Sequence, residues 1–326
     1  MTTTFKSITS LIKEADNVII MAHKNIDLDA LGSALCLSSI VRGFKKEAYV
    51  CLNKKTSSVA IEKALELVKK SNLELGVKSK SETLKIIKKN TLLVILDTSK
   101  VELVECEELL SKISNKIVLD HHAVGNKNIK DTKISYINSN LSSTNEIMVG
   151  YLKYLNKQVS PIIATIMLAG MEVDTNSFTV KTTSATFDAA AHLLELGALN
   201  MLRQELLKED KEQYLRREKY LLKSEIIFSK YAICKIPDIV EKEDIAVVAE
   251  KMILFDDVKA SFAIAKINKN IVSISARSAD GTDVYQIMKE FGGGGHVTEA
   301  AAQIEGTSVD AVEKELISKL KVIKWK

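Results

Sequence analysis

The sequence lacks any apolar stretch long enough to cross a membrane. Its longest candidate, Pro161 to Val173, contains Glu172 and falls short of the roughly 18 uninterrupted apolar residues that a spanning helix needs. The N-terminus, Met-Thr-Thr-Thr-Phe-Lys, also lacks the apolar run of a secretory signal. These absences argue against an integral membrane protein and predict a cytoplasmic one.

Closely paired cysteines are missing as well. The chain has four cysteines, each among apolar neighbours: Cys36, Cys51, Cys106 and Cys234. We therefore predict reduced thiols that serve packing, with no disulfide framework and no cysteine metal site.

A strong charge of one sign is also absent. The net charge is +4, and the lysines are spread along the chain rather than collected in a basic tail. Long nucleic acid is therefore not indicated as a partner. A small anionic ligand needs only a local cationic site, which bound metal ions supply, so the composition leaves such a ligand open.

What is present is typical of a globular protein with two domains. Hydrophobic residues make up 46% of the 326 residues and charged residues 27%, and this length is comfortable for two separate cores. We predict an α/β domain with a parallel sheet over residues 1–199, a charged connecting helix over 200–224 and a smaller α/β domain over 225–326. Three segments of the last part are typical of short strands: Tyr231 to Ile236, Ala260 to Ile267 and Ile271 to Ala276.

Loops that carry acidic or histidine side chains follow three predicted strands of the first domain. The strands are the apolar runs Asn17 to Ala22, Leu92 to Leu96 and Lys116 to Leu119. The first loop leads into a predicted amphipathic helix over Asp29 to Val41. Because the carboxyl ends of strands in open α/β sheets form the ligand crevice, we expect these distant loops to converge.

The loop after the first strand concentrates potential metal ligands. His23, Asp27 and Asp29 lie in the segment His-Lys-Asn-Ile-Asp-Leu-Asp. Hard divalent cations prefer carboxylate oxygens, and one imidazole shifts the preference toward Mn²⁺ or Co²⁺. Taken alone, the segment fits equally well with a solvated turn in which Asp29 caps the following helix.

Further candidate ligands follow the other two strands and a later apolar segment. Asp120, His121 and His122 stand directly after the third strand, where adjacent histidines bring no packing benefit. Asp97 and Asp174 each precede a threonine, and either alone is typical of a turn or cap. A two-metal centre needs a bridging carboxylate and about three protein ligands per ion, a number that these segments supply together.

A run of glycines stands out in the second domain. It comprises Gly292, Gly293, Gly294 and Gly295, and His296 follows. Consecutive glycines suit places where backbone amides approach a ligand closely or where φ is positive. We expect phosphate or nucleotide binding rather than a linker, because the run is short and does not lie between domains. The remaining histidine, His192, lies in an alanine- and leucine-rich segment and is expected to pack within a helix.

In their order along the chain these motifs resemble those of the DHH–DHHA1 phosphoesterases: H-x-x-x-D-x-D, Asp-Thr, Asp-His-His, Val-Asp-Thr and Gly-Gly-Gly-Gly-His. The segments His23 to Asn25, Val173 to Phe178 and Thr186 to Ala190 are similar to the catalytic module of the cyclic-di-AMP phosphodiesterases. Those proteins usually carry membrane, PAS-like and degenerate GGDEF regions in front. The nanoRNase and pAp-phosphatase branch is similar less closely. Ile26 departs from a frequent proline, and Ala123-Val124 replaces basic residues of the cyclic-di-AMP branch.

The resemblance implies two divalent cations, foremost Mn²⁺, with Mg²⁺ or Co²⁺ as alternatives. It assigns His23, Asp27 and Asp97 to one ion. It assigns Asp29, Asp97, His121 and Asp174 to the other, so that Asp97 would bridge the two.

The same resemblance implies roles around the substrate. Asp120 would orient a metal ligand, and His122 would face the scissile phosphate. Arg277 would clamp the nucleotide together with Gly292 to His296, since the guanidinium fork matches phosphate oxygens.

The implied reaction is hydrolysis of cyclic-di-AMP or of its linear product pApA, by in-line attack of a hydroxide that bridges the two metals. The alternative is an oligoribonuclease for very short RNA that also dephosphorylates pAp. A non-enzymatic nucleotide sensor is disfavoured, because every expected ligand position is filled. A family-II pyrophosphatase is disfavoured by the glycine-rich second domain. The expected partner is a small nucleotide, and formation of a homodimer is left open.

Overall fold

The chain divides into two units, Met1–Lys208 and Glu209–Lys326. The computed structural model describes residues 2–53, 58–122, 128–279 and 281–322, so Ala123 and Val124 lie outside the described residues. The division between the units falls inside the segment 200–224, for which a connecting helix is predicted. Each unit contains a six-stranded sheet.

The sheet of the first unit is entirely parallel in its described pairings. Its strands, in chain order, are β1 Asn17–Met21, β2 Glu47–Cys51, β3 Val77–Lys78, β4 Thr91–Leu96, β5 Asn115–Asp120 and β6 Ile134–Ile137. Their order in the sheet is β3-β2-β1-β4-β5-β6. The central positions therefore belong to the strands whose following loops carry the candidate ligands, and the predicted α/β class with a parallel sheet is confirmed.

Apolar side chains cover both faces of this sheet. Along β1, Val18 and Ile20 enter one buried cluster, whereas Ile19 and Met21 enter another. This alternation follows from the two-residue period of a strand, and burial on both faces explains why the strand is a continuous apolar run. The helices of the unit are α1 Thr2–Glu14, α2 Leu28–Gly43, α3 Val59–Lys70, α4 Lys80–Lys85, α5 Glu107–Lys112, α6 Thr144–Leu155, α7 Pro161–Asp174, α8 Ser184–Glu195 and α9 Asn200–Leu207.

Helix α2 is not amphipathic, contrary to the prediction, because it is buried on nearly all sides. It packs closely against α7, and two glycines make this approach possible. A Cβ on Gly32 would lie 2.9 Å from the Cα of Met167, and one on Gly170 would lie 2.6 Å from the carbonyl oxygen of Leu28. Close contact between these helices brings the start of α2 and the end of α7 into one region of the unit.

The segment 200–224 forms two helices rather than the single one predicted. Helix α9 ends at Leu207, and α10 spans Lys211–Leu221. Asp210 caps α10 by accepting hydrogen bonds from the backbone N–H groups of Glu212 and Gln213. A side chain that caps a new helix competes with continuation of the preceding one, which accounts for the break.

The second unit has a mixed sheet. Its strands are β7 Glu225–Ile227, β8 Tyr231–Ile239, β9 Ala260–Lys266, β10 Ile271–Ser278, β11 Gly294–Gly295 and β12 Glu299–Glu305, in the order β11-β12-β10-β9-β8-β7. The predicted strands correspond to β8, β9 and β10, and Asn268 closes the β9–β10 turn by accepting from the N–H groups of Asn270 and Ile271. Besides α10, its helices are α11 Lys242–Met252, α12 Val284–Glu290 and α13 Val309–Val322.

Across the described ranges, no helix combines the length and the apolar character required to span a bilayer. The longest apolar segment of the sequence, Pro161 to Val173, lies in α7.

Candidate metal centre

The candidate ligands of the first unit meet at the carboxyl edge of its parallel sheet. His23 follows β1, Asp97 follows β4, and Asp120 ends β5, after which His121 comes next. These three strands are neighbours in the order β1-β4-β5, so their carboxyl ends lie side by side. Asp174 ends α7, which reaches the same place through its packing on α2.

One group of ligand atoms surrounds His23. Its Nε2 atom lies 3.5 Å from an Oδ2 of Asp27 and 3.4 Å from Oδ2 of Asp97. Asp27 also accepts a hydrogen bond from the backbone N–H of Ala30 as the N-cap of α2, which fixes its direction. Sequence had assigned this cap to Asp29 as the alternative to a metal role, and the structure gives it to Asp27. One oxygen of Asp27 thus caps the helix while the other faces His23.

A second group surrounds His121. Its Nε2 atom lies 3.3 Å from Oδ1 of Asp97 and 3.0 Å from Oδ2 of Asp174. Donor atoms of Asp29, Asp97, His121 and Asp174 all lie within 4.8 Å of one another. Asp97 belongs to both groups and turns one oxygen toward each histidine. Its position directly after β4 has a positive φ of 61°, a conformation that is uncommon outside glycine, asparagine and aspartate.

The beginning of α6 holds two of these carboxylates in place. Asp29 is fully buried and accepts hydrogen bonds from the backbone N–H groups of Thr144, at 2.7 Å, and Asn145, at 2.9 Å. The hydroxyl of Thr144 donates to Oδ1 of Asp97 at 2.8 Å. Neither Thr144 nor Asn145 is among the site residues predicted from the sequence. The available signal in the sequence was a run of polar residues at the start of an otherwise apolar helix.

The two central histidines carry raised pKa values. Burial disfavours a charged imidazole at His23, but Asp27 and Asp97 outweigh burial and raise the pKa to about 11. Burial also disfavours charge on His121, and there Asp174 and Asp97 raise the pKa to about 11. Without a cation, these histidines are therefore the positive charges that balance the buried carboxylates.

The carboxylates respond in opposite directions. Burial favours the neutral form of Asp97, yet His121 and His23 outweigh it and hold the pKa of Asp97 well below its usual range. Burial and then the charge of Asp174 raise the pKa of Asp29 well above its usual value. For Asp174, burial is again the largest cause, and its pKa rises to about 6. The two histidines therefore do not neutralise all the carboxylates of the cluster, and a bound cation would stabilise the remaining negative charge.

Several buried donor atoms point to cations at this place. In the described part of the chain, Oδ2 of Asp97 and both ring nitrogens of His121 are buried, and their histidine–carboxylate contacts do not have the geometry of hydrogen bonds. Buried polar atoms are normally paired, because leaving them unpaired costs about 1–3 kcal/mol each. Carboxylate oxygens and imidazole nitrogens that lack hydrogen bonds and lie close together are suitable ligand atoms for a divalent cation. The residues present therefore fit the implied metals.

Asp120 contacts His122, whose ring forms a third possible group of ligand atoms together with Asp97 and His121. Its Oδ1 atom accepts from the backbone N–H of His122 at 3.0 Å and lies 2.8 Å from Nδ1 of the same residue. The side chain of His122 is 46% exposed, with Nδ1 also 3.6 Å from Asp97. Since Nδ1 is engaged by Asp120, the other ring nitrogen, Nε2, is the atom left to act on a ligand.

The second unit brings its candidate substrate residues to one end of a strand pair. Arg277 lies on β10 opposite Glu299 of β12, and the backbone N–H of His296 donates to the carbonyl oxygen of Glu299 at 2.6 Å. The guanidinium of Arg277 donates to Ser275 at 3.2 Å and to the carbonyl oxygen of Ala276 at 3.0 Å. Arg277 and His296 thus share this region of the sheet.

The glycines of the run differ in what requires them. A Cβ at Gly293 would lie 2.1 Å from the carbonyl oxygen of Ala301, and one at Gly295 would lie 2.4 Å from that of Glu299. Gly292 has a φ of 73°, and only Gly294 combines open space with an ordinary backbone conformation. Packing of β11 on β12 therefore explains part of the run that sequence attributed to ligand approach.

Comparison with known proteins agrees with this layout. Residues 17–171 match the DHH family, N-terminal domain, and residues 228–322 match the DHHA1 domain. The cyclic-di-AMP phosphodiesterase GdpP of Geobacillus thermodenitrificans is 37% identical over 316 residues, which are 95% of this chain and 48% of that protein. The cyclic-di-AMP phosphodiesterase PdeA of Listeria monocytogenes is 33% identical over 326 residues, covering 98% and 50%. The chain thus spans about half the length of these relatives.

The fold is also shared with a solved structure. The crystal structure of an exopolyphosphatase-related protein from Bacteroides fragilis aligns with a TM-score of 0.81 at 19% identity, over 98% of this chain and 97% of that one. With both domain matches in order and the aspartates and histidines gathered at one sheet edge, the chain belongs to the DHH–DHHA1 family of phosphoesterases.

Proposed function

We propose that this protein hydrolyses a phosphodiester bond of a small adenine dinucleotide, either cyclic-di-AMP or its linear product pApA. The observation that carries the proposal is the shared position of Asp97, whose two oxygens face His23 and His121 in two adjoining groups of ligand atoms. The names of the curated relatives, both cyclic-di-AMP phosphodiesterases, supply the substrate class.

The proposed cofactor is a pair of divalent cations. One would be held by His23, Asp27 and Asp97, and the other by Asp29, Asp97, His121 and Asp174, which are the groups that lie within ligand distance of one another. Mixed oxygen and imidazole donors favour Mn²⁺ over Mg²⁺. When bound, such cations lower the pKa of a water and offset the charge of phosphate oxygens.

The chain's own residues orient the substrate and prepare the surroundings. Thr144 and Asn145 hold the carboxylate of Asp29 in place by donating backbone hydrogen bonds to it. Asp120 holds the His122 ring through Nδ1, so that Nε2 is presented to a phosphate oxygen or to the leaving oxygen. An imidazole fixed in this way donates a hydrogen bond or a proton without first losing rotational freedom.

The second unit is proposed to select the nucleotide. Arg277 would pair with phosphate oxygens through its planar fork, and the amides near Gly294 would approach the ligand closely where no side chain intervenes. His296, which stands at the same end of the β10–β12 pair, would add a side-chain hydrogen bond. In this proposal the first unit carries out the hydrolysis, and the second unit determines which nucleotide is bound.

The test offers cyclic-di-AMP, pApA, pAp and very short oligoribonucleotides side by side with Mn²⁺, and products are separated by chromatography. Hydrolysis of cyclic-di-AMP or pApA as the preferred substrate supports the proposal. A preference for oligoribonucleotides and pAp would assign the protein to the alternative function of an oligoribonuclease and pAp phosphatase. Binding without hydrolysis of any of them would indicate a nucleotide sensor.

A further inference from the structure

Two phenylalanine rings stack on each other in the first unit. The centroids of Phe178 and Phe187 lie 5.7 Å apart, and the ring planes meet at 24°. Phe187 is 57% exposed, whereas Phe178 is partly buried against the main apolar core. A large apolar ring is thus mostly accessible to solvent, and a second ring beside it fixes its orientation.

The backbone that carries Phe178 has an unusual conformation. Asn176, Ser177 and Phe178 have φ values of 45°, 55° and 63°, a region that residues with a side chain rarely adopt, here at three consecutive positions. Such strained segments cluster at ligand sites. The backbone N–H of Phe178 donates to the hydroxyl of Thr175 at 3.0 Å, and Thr175 directly follows Asp174. The position of Phe178 is therefore fixed relative to a candidate metal ligand.

Hydrogen bonds also link the segment that carries Phe187 to the candidate metal ligands. Its neighbour Thr186 donates through its hydroxyl to Oε2 of Glu146 at 3.0 Å. Glu146 stands in the first turn of α6, the turn in which Thr144 donates to Asp97. Both rings of the pair are therefore held by segments that also hold the candidate metal ligands.

We propose that Phe178 and Phe187 form a stacking platform for one purine base of the dinucleotide, an inference that rests on the proposed function. The base of a nucleotide is joined to its phosphate through one ribose, so a phosphate at the metal centre brings a base to its immediate surroundings. Aromatic side chains stack on bases through their faces, and a pre-oriented pair loses little freedom on binding. Phe187 supplies the exposed surface, and Phe178 positions it.

The first experiment measures steady-state kinetics of Phe187→Ala on pApA and on two analogues of pApA, each lacking the base at one ribose. We expect KM for pApA to rise about tenfold, with kcat little changed, because stacking on one base is lost. One of the two analogues should show no difference between wild type and variant. Phe187→Trp should restore the wild-type KM, since a larger aromatic face also stacks.

A matched control comes from the same helix. Leu194 is also apolar and is 45% exposed, so Leu194→Ala removes comparable surface from α8 without touching the pair. Its KM for pApA should equal that of the wild type. Equal KM values for Phe187→Ala and wild type, or equal losses on pApA and on both analogues, would overturn the platform.

A binding experiment separates this inference from the proposed function. A pApA analogue whose bridging phosphate cannot be hydrolysed carries fluorescent 2-aminopurine in place of one adenine, tested at each position, and is titrated into the Mg²⁺-loaded protein. We expect stacking to quench the fluorescence in the wild type and not in Phe187→Ala. Quenching with that pattern, but no hydrolysis of any dinucleotide, would refute the function and keep the platform. Hydrolysis without ring-dependent quenching would refute the platform and keep the function.

Discussion

The cluster of candidate metal ligands in the first unit and the glycine run of the second unit differ in whether the fold alone accounts for their residues. Asp29, Asp97 and His121 are buried polar groups, and the ring nitrogens of His121 have no hydrogen-bond partner among the described residues. Gly293 and Gly295, in contrast, are needed by the packing of β11 against β12 whether a ligand binds or not. Buried unpaired ligand atoms therefore indicate function more directly than a glycine-rich sequence does.

The largest expected effect comes from replacing the residue shared by both ligand groups. Asp97→Asn keeps the size of the side chain but removes the charge that would serve two cations, so we expect kcat/KM for the preferred dinucleotide to fall by at least about a thousandfold. The hydrogen bond from Thr144 should persist on the amide oxygen, and circular dichroism should show an intact fold. Near-normal turnover of the variant in Mn²⁺ would mean that no carboxylate bridge is needed.

The next largest effect is expected at His122, which lies beside the candidate metal ligands and is proposed to contact the substrate. His122→Ala should lower kcat by about a hundredfold, the range of a lost proton donor, while leaving metal content unchanged. Metal content is measured on the purified variant by plasma emission spectrometry. Asp120→Asn tests the same link, since it weakens the contact that orients His122. A variant that loses an ion would make His122 a ligand, as its 3.6 Å distance to Asp97 allows.

A smaller effect is expected in the glycine run, where two neighbouring positions give opposite predictions. Gly294→Val meets open space and should fold, yet it should weaken hydrolysis of the dinucleotide about tenfold by blocking close approach to the backbone. The slow hydrolysis of bis-p-nitrophenyl phosphate should be unchanged, and His296→Ala should behave alike. Equal losses on both substrates would mean that the run helps to build the metal centre.

Gly293→Ala is the contrasting variant. A Cβ at this position would collide with the backbone at Ala301, so the variant should lower the melting temperature rather than change substrate choice. Thermal unfolding followed by circular dichroism measures this. A variant as stable as the wild type would show that the β11–β12 contact is more adaptable than its geometry indicates.

The smallest effect is a pH dependence of metal binding. Burial lowers the pKa values of His23 and His121, but contacts with carboxylates outweigh burial and raise both to about 11. Both imidazoles are therefore protonated at pH 7 without metal. A metal ligand must be a neutral imidazole or an ionised carboxylate, so binding should release the two imidazole protons together with any proton that Asp29 carries, and it should strengthen as the pH rises. Calorimetry with Mn²⁺ in buffers of different ionisation enthalpy measures the release. Heats that do not depend on the buffer would contradict it.

Much of the first unit could be predicted from sequence because its signals are local. Strands β1, β4 and β5 are continuous apolar runs, and the ligand side chains follow them directly. The roles of Thr144 and Asn145 could not be predicted, because their contacts with Asp29 span more than a hundred residues and depend on how α2 and α6 pack. The break at Asp210 was missed because a charged helical pattern does not reveal which aspartate caps a new helix.

The same limit applies to the second unit and to the aromatic pair. Sequence placed Gly292 to His296 near a ligand but could not separate Gly294 from Gly293, since the difference arises from the distance to β12. Phe178 and Phe187 carried part of the family resemblance, yet nothing in their spacing indicated that the two rings stack. Contacts between distant elements supply that information.

Electron paramagnetic resonance of the Mn²⁺-loaded protein tests the shared role of Asp97 most directly. Two Mn²⁺ ions that share a carboxylate are close enough to couple magnetically, as expected at a separation of about 3.5–4 Å. We predict two Mn²⁺ per chain with an exchange-coupled spectrum, and loss of the coupled signal in Asp97→Asn. A single bound Mn²⁺, or two ions with the spectrum of isolated Mn²⁺, would contradict a dinuclear centre bridged by Asp97.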